Sequence, residues 1–341
     1  MQILSRIFRA KKTRSAHCDD ELDRLARRVL SLNPRLRYAH GHEERLRSAL
    51  AHSLDYLRGL VAAFPPPRSA NARSWAGDPY IRTFFAKADD VGAALSRSAD
   101  LHHFFEKTPG LNETFAVLGM EMNERRTLGV SNEGGVTRTD VPQTTLSFGD
   151  HQLRICGSTV AALRDEIAGR LIDQLALEAL ALIAQEGERR DMLERERALL
   201  ATRLKILQHQ DTGMRSVAGG DTQDDAAARA RLGRLMDENN RDLRGLGLLS
   251  DAFDRQLECF CQVFAQPAKR IHMKKKRVRL NRMNVLVADD APDDEAHTLE
   301  LDIALVPGNP PRERAVALVR VARADVPQPA NALEQAERLL V

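Results

Sequence analysis

Apolar residues recur along this chain with two different periods, and the changes of period divide it. In "DDELDRLARRVLSL" (19–32), Leu22, Leu25, Ala26, Val29 and Leu30 follow the i, i+3, i+4, i+7, i+8 spacing of one helical face. Acidic residues open the segment, which suits the positive end of a helix dipole, and Asn33-Pro34 closes it. A second stripe, Leu46, Leu50, Leu54, Leu57, Val61 and Phe64, predicts a longer helix over 42–64, packed antiparallel on the first. "PPPRSANARSWAGDP" (65–79) reads as a linker loop, with Asp78 and Pro79 as N-cap and first residue of a new helix. "IRTFFAK" (81–87) is echoed by "LHHFFEK" (101–107), with Ile81, Phe84 and Phe85 spaced like Leu101, Phe104 and Phe105. The echo is read as two helices anchored alike, with the aromatic rings in the core.

From about 113 the period shortens to two. "TFAVLGMEM", "RRTLGV", "TTLSF" and "HQLRI" are separated by Gly, Asn and Asp, and predict a small antiparallel sheet of three or four strands before 157. A helical pattern then runs over 159–210, about 80 Å at 1.5 Å per residue, with Ser158 or Thr159 as cap. Its first half is apolar nearly all round and should be buried. In its second half Met192/Leu193, Leu199/Leu200 and Ile206/Leu207 recur every seven residues, with Leu204 between, a stripe suited to helix pairing. Glu186–Arg190 and Asp191–Arg195 are favourable i, i+4 pairs, and Gly187 marks a candidate break. After a connection at 211–225, Leu232, Leu235, Met236, Leu243 and Leu246 predict a helix folding back as a hairpin. A further helix follows, capped by Ser250, striped by Phe253, Leu257, Phe260 and Phe264, and ended by Pro267.

The last stretch alternates again. "RVRLNRMNVLVADD", "TLELDIALVPG" and "RAVALVRVARADV" predict a three-stranded meander, in which Leu299, Leu301, Ile303 and Leu305 give one buried and one wet face. Val278 and Leu280 are out of phase with Met283, Val285 and Val287, which predicts a β-bulge near Asn281–Arg282. "ANALEQAERLLV" predicts a closing helix. The expected fold class is α+β and predominantly helical. It comprises a long helix and coiled-coil-like helical hairpin, a small central antiparallel sheet and a C-terminal β-meander. The expected organisation is an N-terminal helical region (1–110), the small sheet (111–156), the long helix and hairpin (157–267), and the meander with a terminal helix (268–341).

Composition narrows function mainly by exclusion. The 341 residues carry 51 basic and 48 acidic side chains, a net charge of +3, so any cationic surface is local. No apolar run reaches the roughly 18 residues of a transmembrane span, and "MQILSRIFRAKKTRS" lacks the apolar core and cleavage site of a secretory signal. Cys18, Cys156, Cys259 and Cys261 are too few and too irregular for a disulfide framework. These features together predict a cytoplasmic protein.

Motifs of phosphate-binding loops, α/β-hydrolase elbows, kinases and zinc sites are missing from the sequence. His40-Gly41-His42 with Glu43 and Glu44 lacks a second cluster. His102-His103 reads as helix surface, and His17-Cys18-Asp19-Asp20 as a helix start. Asp289, Asp290, Asp293, Asp294 and Glu295 lack calcium-loop spacing. No catalytic residue, metal ligand or cofactor is predicted.

The densest charge is "KRIHMKKKRVRLNR" (269–282), with eight cations in fourteen residues and no acid. Lys274, Lys275, Lys276, Arg277 and Arg279 are candidate phosphate contacts. No aromatic residue is interleaved to stack on bases, and alternation places cations on a strand face, so a solvated basic face is the favoured reading. Ile3, Leu4, Ile7 and Phe8, flanked by Arg6, Arg9, Lys11, Lys12 and Arg14, are candidate contacts to an anionic membrane surface. The leading expectation is a non-enzymatic interaction or scaffold protein. It would pair through Met192, Leu193, Leu199, Leu200, Ile206 and Leu207 of a protruding hairpin with another protein or a second copy of itself. Nucleic acid bound by the basic run, and membrane attachment through 1–14, are the alternatives.

Overall fold

The computed structural model describes residues 19–133, 136–211, 222–288, 296–306 and 312–327. The segments 1–14 and 330–341, with their expected helices, and the acidic cluster 289–295 lie outside the described residues. The fold is α+β with helix dominant. It divides into two compact units, each built from two stretches of chain: 1–52 with 173–265, and 53–172 with 266–341.

The second unit is organised by one antiparallel sheet with a short parallel edge pairing. Its path is β3-β2-β6-β5-β4, made from β2 (Glu113–Glu133), β3 (Val136–Gly157), β4 (Met273–Leu280), β5 (His297–Val306) and β6 (Arg312–Ala322). The short β1 (Arg68–Ser69) pairs parallel with β6. The two β regions of the sequence thus join through β2 and β6, with Glu113 opposite Ala322 and Met120 opposite Ala315. Side chains alternate across the sheet, and each face is covered where β2 and β6 pair. Ala116, Leu118, Met120, Val319 and Val321 face a core with Ile81, Phe84, Phe85, Val91, Leu95 and Leu101, from α4 (Pro79–Phe84), α5 (Ala88–Ser96), α6 (Ala99–Lys107) and the residue after α4. Phe115, Val117, Val316 and Leu318 face Val61, Phe64, Leu163 and Ile167, from the end of α2 (His42–Ala62), the start of α7 (Val160–Asp211) and Phe64 beyond α2. Asp78 caps α4 as its sequence position predicts, its carboxylate accepting from Tyr80 N at 2.8 Å.

Three or four short strands were expected over 113–156; the chain instead forms two long ones. The glycines and polar residues that look like turns are absorbed as bulges. The pairing of β2 with β3 shifts register at Ala116/Val117, Gly119/Glu121 and Gly129/Ser131. Opposite these shifts Ile155, Asp150 and Asp140 take positive φ of 57°, 44° and 62°. Such a residue is the extra one of a bulge, which bends a strand without ending it. The break near 281 also differs from expectation. Rather than bulging, the chain reverses: Asn284 N donates to Asn281 O at 3.0 Å, and Leu286 bridges back to Leu280. Asn281 Oδ1 accepts from Met283 N and Val285 N at 2.9 and 3.0 Å, and Asn284 has φ of 56°. Asparagine supplies both the side-chain acceptor and the tolerance of left-handed φ, and the reversal accounts for the change of phase. The stretch 65–79 is likewise structured, holding β1 and the short α3 (Ala72–Gly77).

The first unit is helical. α1 (19–32) lies antiparallel to α2, where Arg47 meets Asp19 and Asp23 at 3.4 and 3.2 Å. Leu25 and Val29 of α1, Leu46 and Leu50 of α2, and Leu257, Phe260 and Phe264 of α9 (Ala252–Ala265) are buried. Asn33 Nδ2 donates to Gln256 Oε1 at 3.2 Å, and Asp254 accepts from His40 N at 2.8 Å, tying α9 to the turn after α1. Ser250 does not cap α9. A 3-10 turn at Leu249–Asp251 precedes the helix, and the Ser250 hydroxyl is spent on Asp251. Gly187 leaves α7 unbroken, since one glycine costs about 1 kcal/mol and 52 consecutive helical residues outweigh it. The expected burial of the helix's first half holds for Leu163, Ile167, Ile172 and Leu175 but not for Leu177, which is exposed.

Candidate functional site

The helical hairpin is built from α7 and α8 (Thr222–Gly245). Leu193 and Leu200 are buried, and Leu204 and Leu207 half-buried. On α8, Leu232, Met236, Asn239 and Leu243 are sheltered, as is Leu246 just beyond its end, spaced alternately by four and three. Asn239, only 4% exposed, donates from Nδ2 to Leu193 O at 3.0 Å and to Glu196 at 3.3 Å. Its Oδ1 is buried without a hydrogen bond. Arg190 does not spend itself on Glu186 within α7. Its guanidinium donates to Leu246 O and Gly247 O at 2.9 and 2.8 Å, where carbonyls at the end of α8 lack helical donors. Gly247, at φ of 77°, makes the turn out of α8, and Arg255 holds the next carbonyl, Leu248 O, at 2.5 Å.

The six candidate pairing residues therefore split into two stripes. Leu193, Leu200 and Leu207 turn towards α8. Met192, Leu199 and Ile206, each 100° behind on the helix, remain 60%, 52% and 52% exposed. One heptad pattern thus supplies both an inner seam and an outer apolar line.

The five candidate cations of the basic run lie on β4, at one end of the sheet path. Lys274 and Lys276 share the face of Val278 and Leu280, while Lys275, Arg277 and Arg279 lie on the other. The three lysines meet carboxylates: Lys274 with Glu313 at 3.1 Å, Lys275 with Glu300 at 3.2 Å, and Lys276 with Glu124. Arg277 stands opposite Glu300 in the β4–β5 register, and Arg279 donates to Ala288 O at 2.8 Å. Each exposed pair contributes little stability, at most about 1 kcal/mol. Together they interleave acid with base, so the surface around β4 is mixed in sign. The acids come from β2, β5 and β6, which the run's own sequence neighbourhood does not reveal.

One buried group escaped sequence reasoning. Asp302 sits at a nominally wet position of β5, yet is 5% exposed. There the β5–β6 pairing ends, and β6 continues beside β1. A cavity of about 20 Å³, lined by Pro65, Pro66, Arg68, Phe84, Glu300, Asp302 and Val316, lies at the separation. It has room for about one water molecule. Asp302 Oδ1 is buried without a partner, and burial pushes its carboxyl above the ordinary range against the opposing pull of Lys275. Arg68 does not neutralise it, being engaged by both oxygens of Asp78 at 3.0 and 3.2 Å and stacked 3.6 Å over the Tyr80 ring. Glu300, on the same wall, pairs with Lys275. The only signal in the sequence was the triple proline, Pro65–Pro67, that lays chain over this point.

His102 Nε2 bonds Ser96 O at 2.8 Å, and His42 Nδ1 bonds Ala39 O at 3.3 Å. His151 stacks on Phe85 with centroids 4.4 Å apart and bonds Phe84 O, and burial lowers its pKa. Among the described residues, no three His, Cys, Asp or Glu side chains converge as metal ligands, and no helix is long and apolar enough to cross a membrane. Ile3, Leu4, Ile7 and Phe8 lie outside the described residues. Comparisons with family models, with curated proteins and with solved structures found no match to this chain.

Proposed function

We propose that this chain is a non-enzymatic interaction or scaffold protein of the cytoplasm, with the α7–α8 hairpin as its contact element. The observation that carries the reading is the outer line of Met192, Leu199 and Ile206. Three large apolar side chains, more than half exposed and seven residues apart, lie on a helix whose inner stripe is already occupied. A lone exposed apolar residue needs no explanation, whereas an ordered line of them marks a surface that meets another protein. The sheet unit supports this as a scaffold, both faces of its sheet being committed to its own cores where β2 and β6 pair.

The test is the native size of the tagged chain in a cell extract, measured by size-exclusion chromatography beside the triple variant Met192→Gln, Leu199→Gln, Ile206→Gln. The wild type should elute in a larger species than the variant, whose circular dichroism and unfolding midpoint should be unchanged. Identical elution of the two folded proteins would defeat the proposal.

A further inference from the structure

We infer that Met192, Leu199 and Ile206 are the contact of an antiparallel pairing between two copies of this chain, an inference resting on the reading of the hairpin as a contact element. The three side chains span about 21 Å of α7 at 1.5 Å per residue. A repeat of seven keeps such residues on one line along a facing helix.

Charge selects the partner and its direction. Within about 100° of this line, the exposed charges between 188 and 196 are Glu188, Asp191 and Glu196 against Arg189 and Arg195. Between 197 and 207 they are Arg203 and Lys205, with no acid. The stretch is thus acidic in its first half and basic in its second. A second copy laid antiparallel sets each acidic half against a basic one, while a parallel copy sets like against like. With a two-fold axis at Leu199, Leu199 meets its counterpart and Met192 meets Ile206 of the second copy, a self-complementary contact. Glu196 and Arg203, three residues before and four after Leu199, approach each other across that axis. Three anchors per copy make a small interface, so the pairing is reversible and concentration-dependent.

Sedimentation velocity of the purified full chain, from low to high micromolar, tests this first. The sedimentation coefficient should rise with concentration, and Leu199→Glu should abolish the rise while leaving the circular dichroism unchanged. Disulfide trapping under mild oxidation then reads the direction, with the parent chain as background. Leu199→Cys should cross-link to itself. Met192→Cys and Ile206→Cys should each link poorly alone but form a mixed dimer when combined. A chain that stays monomeric throughout, or association indifferent to Leu199→Glu, overturns the self-pairing. Self-linking of Met192→Cys overturns the antiparallel direction. If the purified chain is monomeric but the wild type still elutes larger than the triple variant from extract, the self-pairing fails and the contact reading stands with another protein as partner. If both fail, the hairpin is not a contact element.

Discussion

Replacing Asp302 with asparagine isolates the consequence of burying a carboxylate with too few partners. The side chain keeps its size and loses its charge, in a cavity that holds about one water. A buried polar group without its hydrogen bond costs about 1–3 kcal/mol, and more when charged. Asp302→Asn should therefore stabilise the sheet unit at pH 7 by about 1–2 kcal/mol, allowing for the attraction of Lys275 that the wild-type carboxylate enjoys. In a unit of about 200 residues that is a rise of roughly 2–8 °C in Tm. The sign with pH follows from proton linkage. Burial raises the folded carboxyl above its ordinary value of 3.8, so between that value and the raised one the folded state holds a proton that the unfolded state has released. The neutral acid's contribution is fully present below that ordinary value and is lost as pH climbs through the raised one. The gain from Asp302→Asn should then be largest at neutral pH and shrink towards pH 4. Urea titrations at the two pH values, followed by Trp75 fluorescence, provide the assay. This single tryptophan of the chain donates to Phe85 O at 2.8 Å and packs on the sheet unit's core. A variant no more stable than wild type at pH 7, or a gain independent of pH, would refute the reasoning.

Adjacent residues on α7 should behave oppositely. Leu200→Ala, at the buried seam, should cost about 2–4 kcal/mol in denaturant unfolding, whereas Leu199→Ala should change the fold's stability by no more than about 0.5 kcal/mol. Gly247→Ala should destabilise by at least about 1 kcal/mol, because its φ of 77° disfavours a side chain and the new Cβ would lie 2.7 Å from the Arg255 guanidinium. Burial pushes the Cys156 thiol up to about 12, so iodoacetamide at pH 8 should spare it in the folded protein and modify it in urea, as peptide mass mapping would report. A generic duplex or single strand titrated at low and moderate salt should show no salt-steep affinity that depends on Lys274, Lys275, Lys276 and Arg277, since carboxylates stand beside the three lysines and opposite Arg277. Steep binding lost on charge reversal there would bring the nucleic-acid reading forward.

The helices were legible because their signals are local. Apolar spacing, the cap at Asp78 and the break at Asn33-Pro34 act within a few residues of one another. The meander's alternation was legible for the same reason. The strands of 113–157 were misjudged in number because glycine and asparagine signal a turn and a bulge alike, and only pairing with the opposite strand decides between them. Asn281 shows the reverse error, a turn read as a bulge. The candidate contacts were half visible. A heptad pattern shows that a helix pairs, but which of Leu193 and Met192 faces its own α8 depends on where α8 lies. The acids beside the basic run sit on β2, β5 and β6, and the chain cover over Asp302 comes from more than 200 residues away, so neither leaves a trace near the residue it affects.

The proposed contact surface is the outer face of α7, met by protein in the cell. A photoreactive amino acid placed at Leu199 and, as control, at Ala201 tests that directly. Ala201 is also exposed, but lies about 200° round the helix. Irradiation of living cells should give a discrete protein adduct from position 199, composed of two copies of this chain, and little from position 201. Equal labelling from both positions, or none from 199, would contradict the claim that this line of side chains is a contact surface.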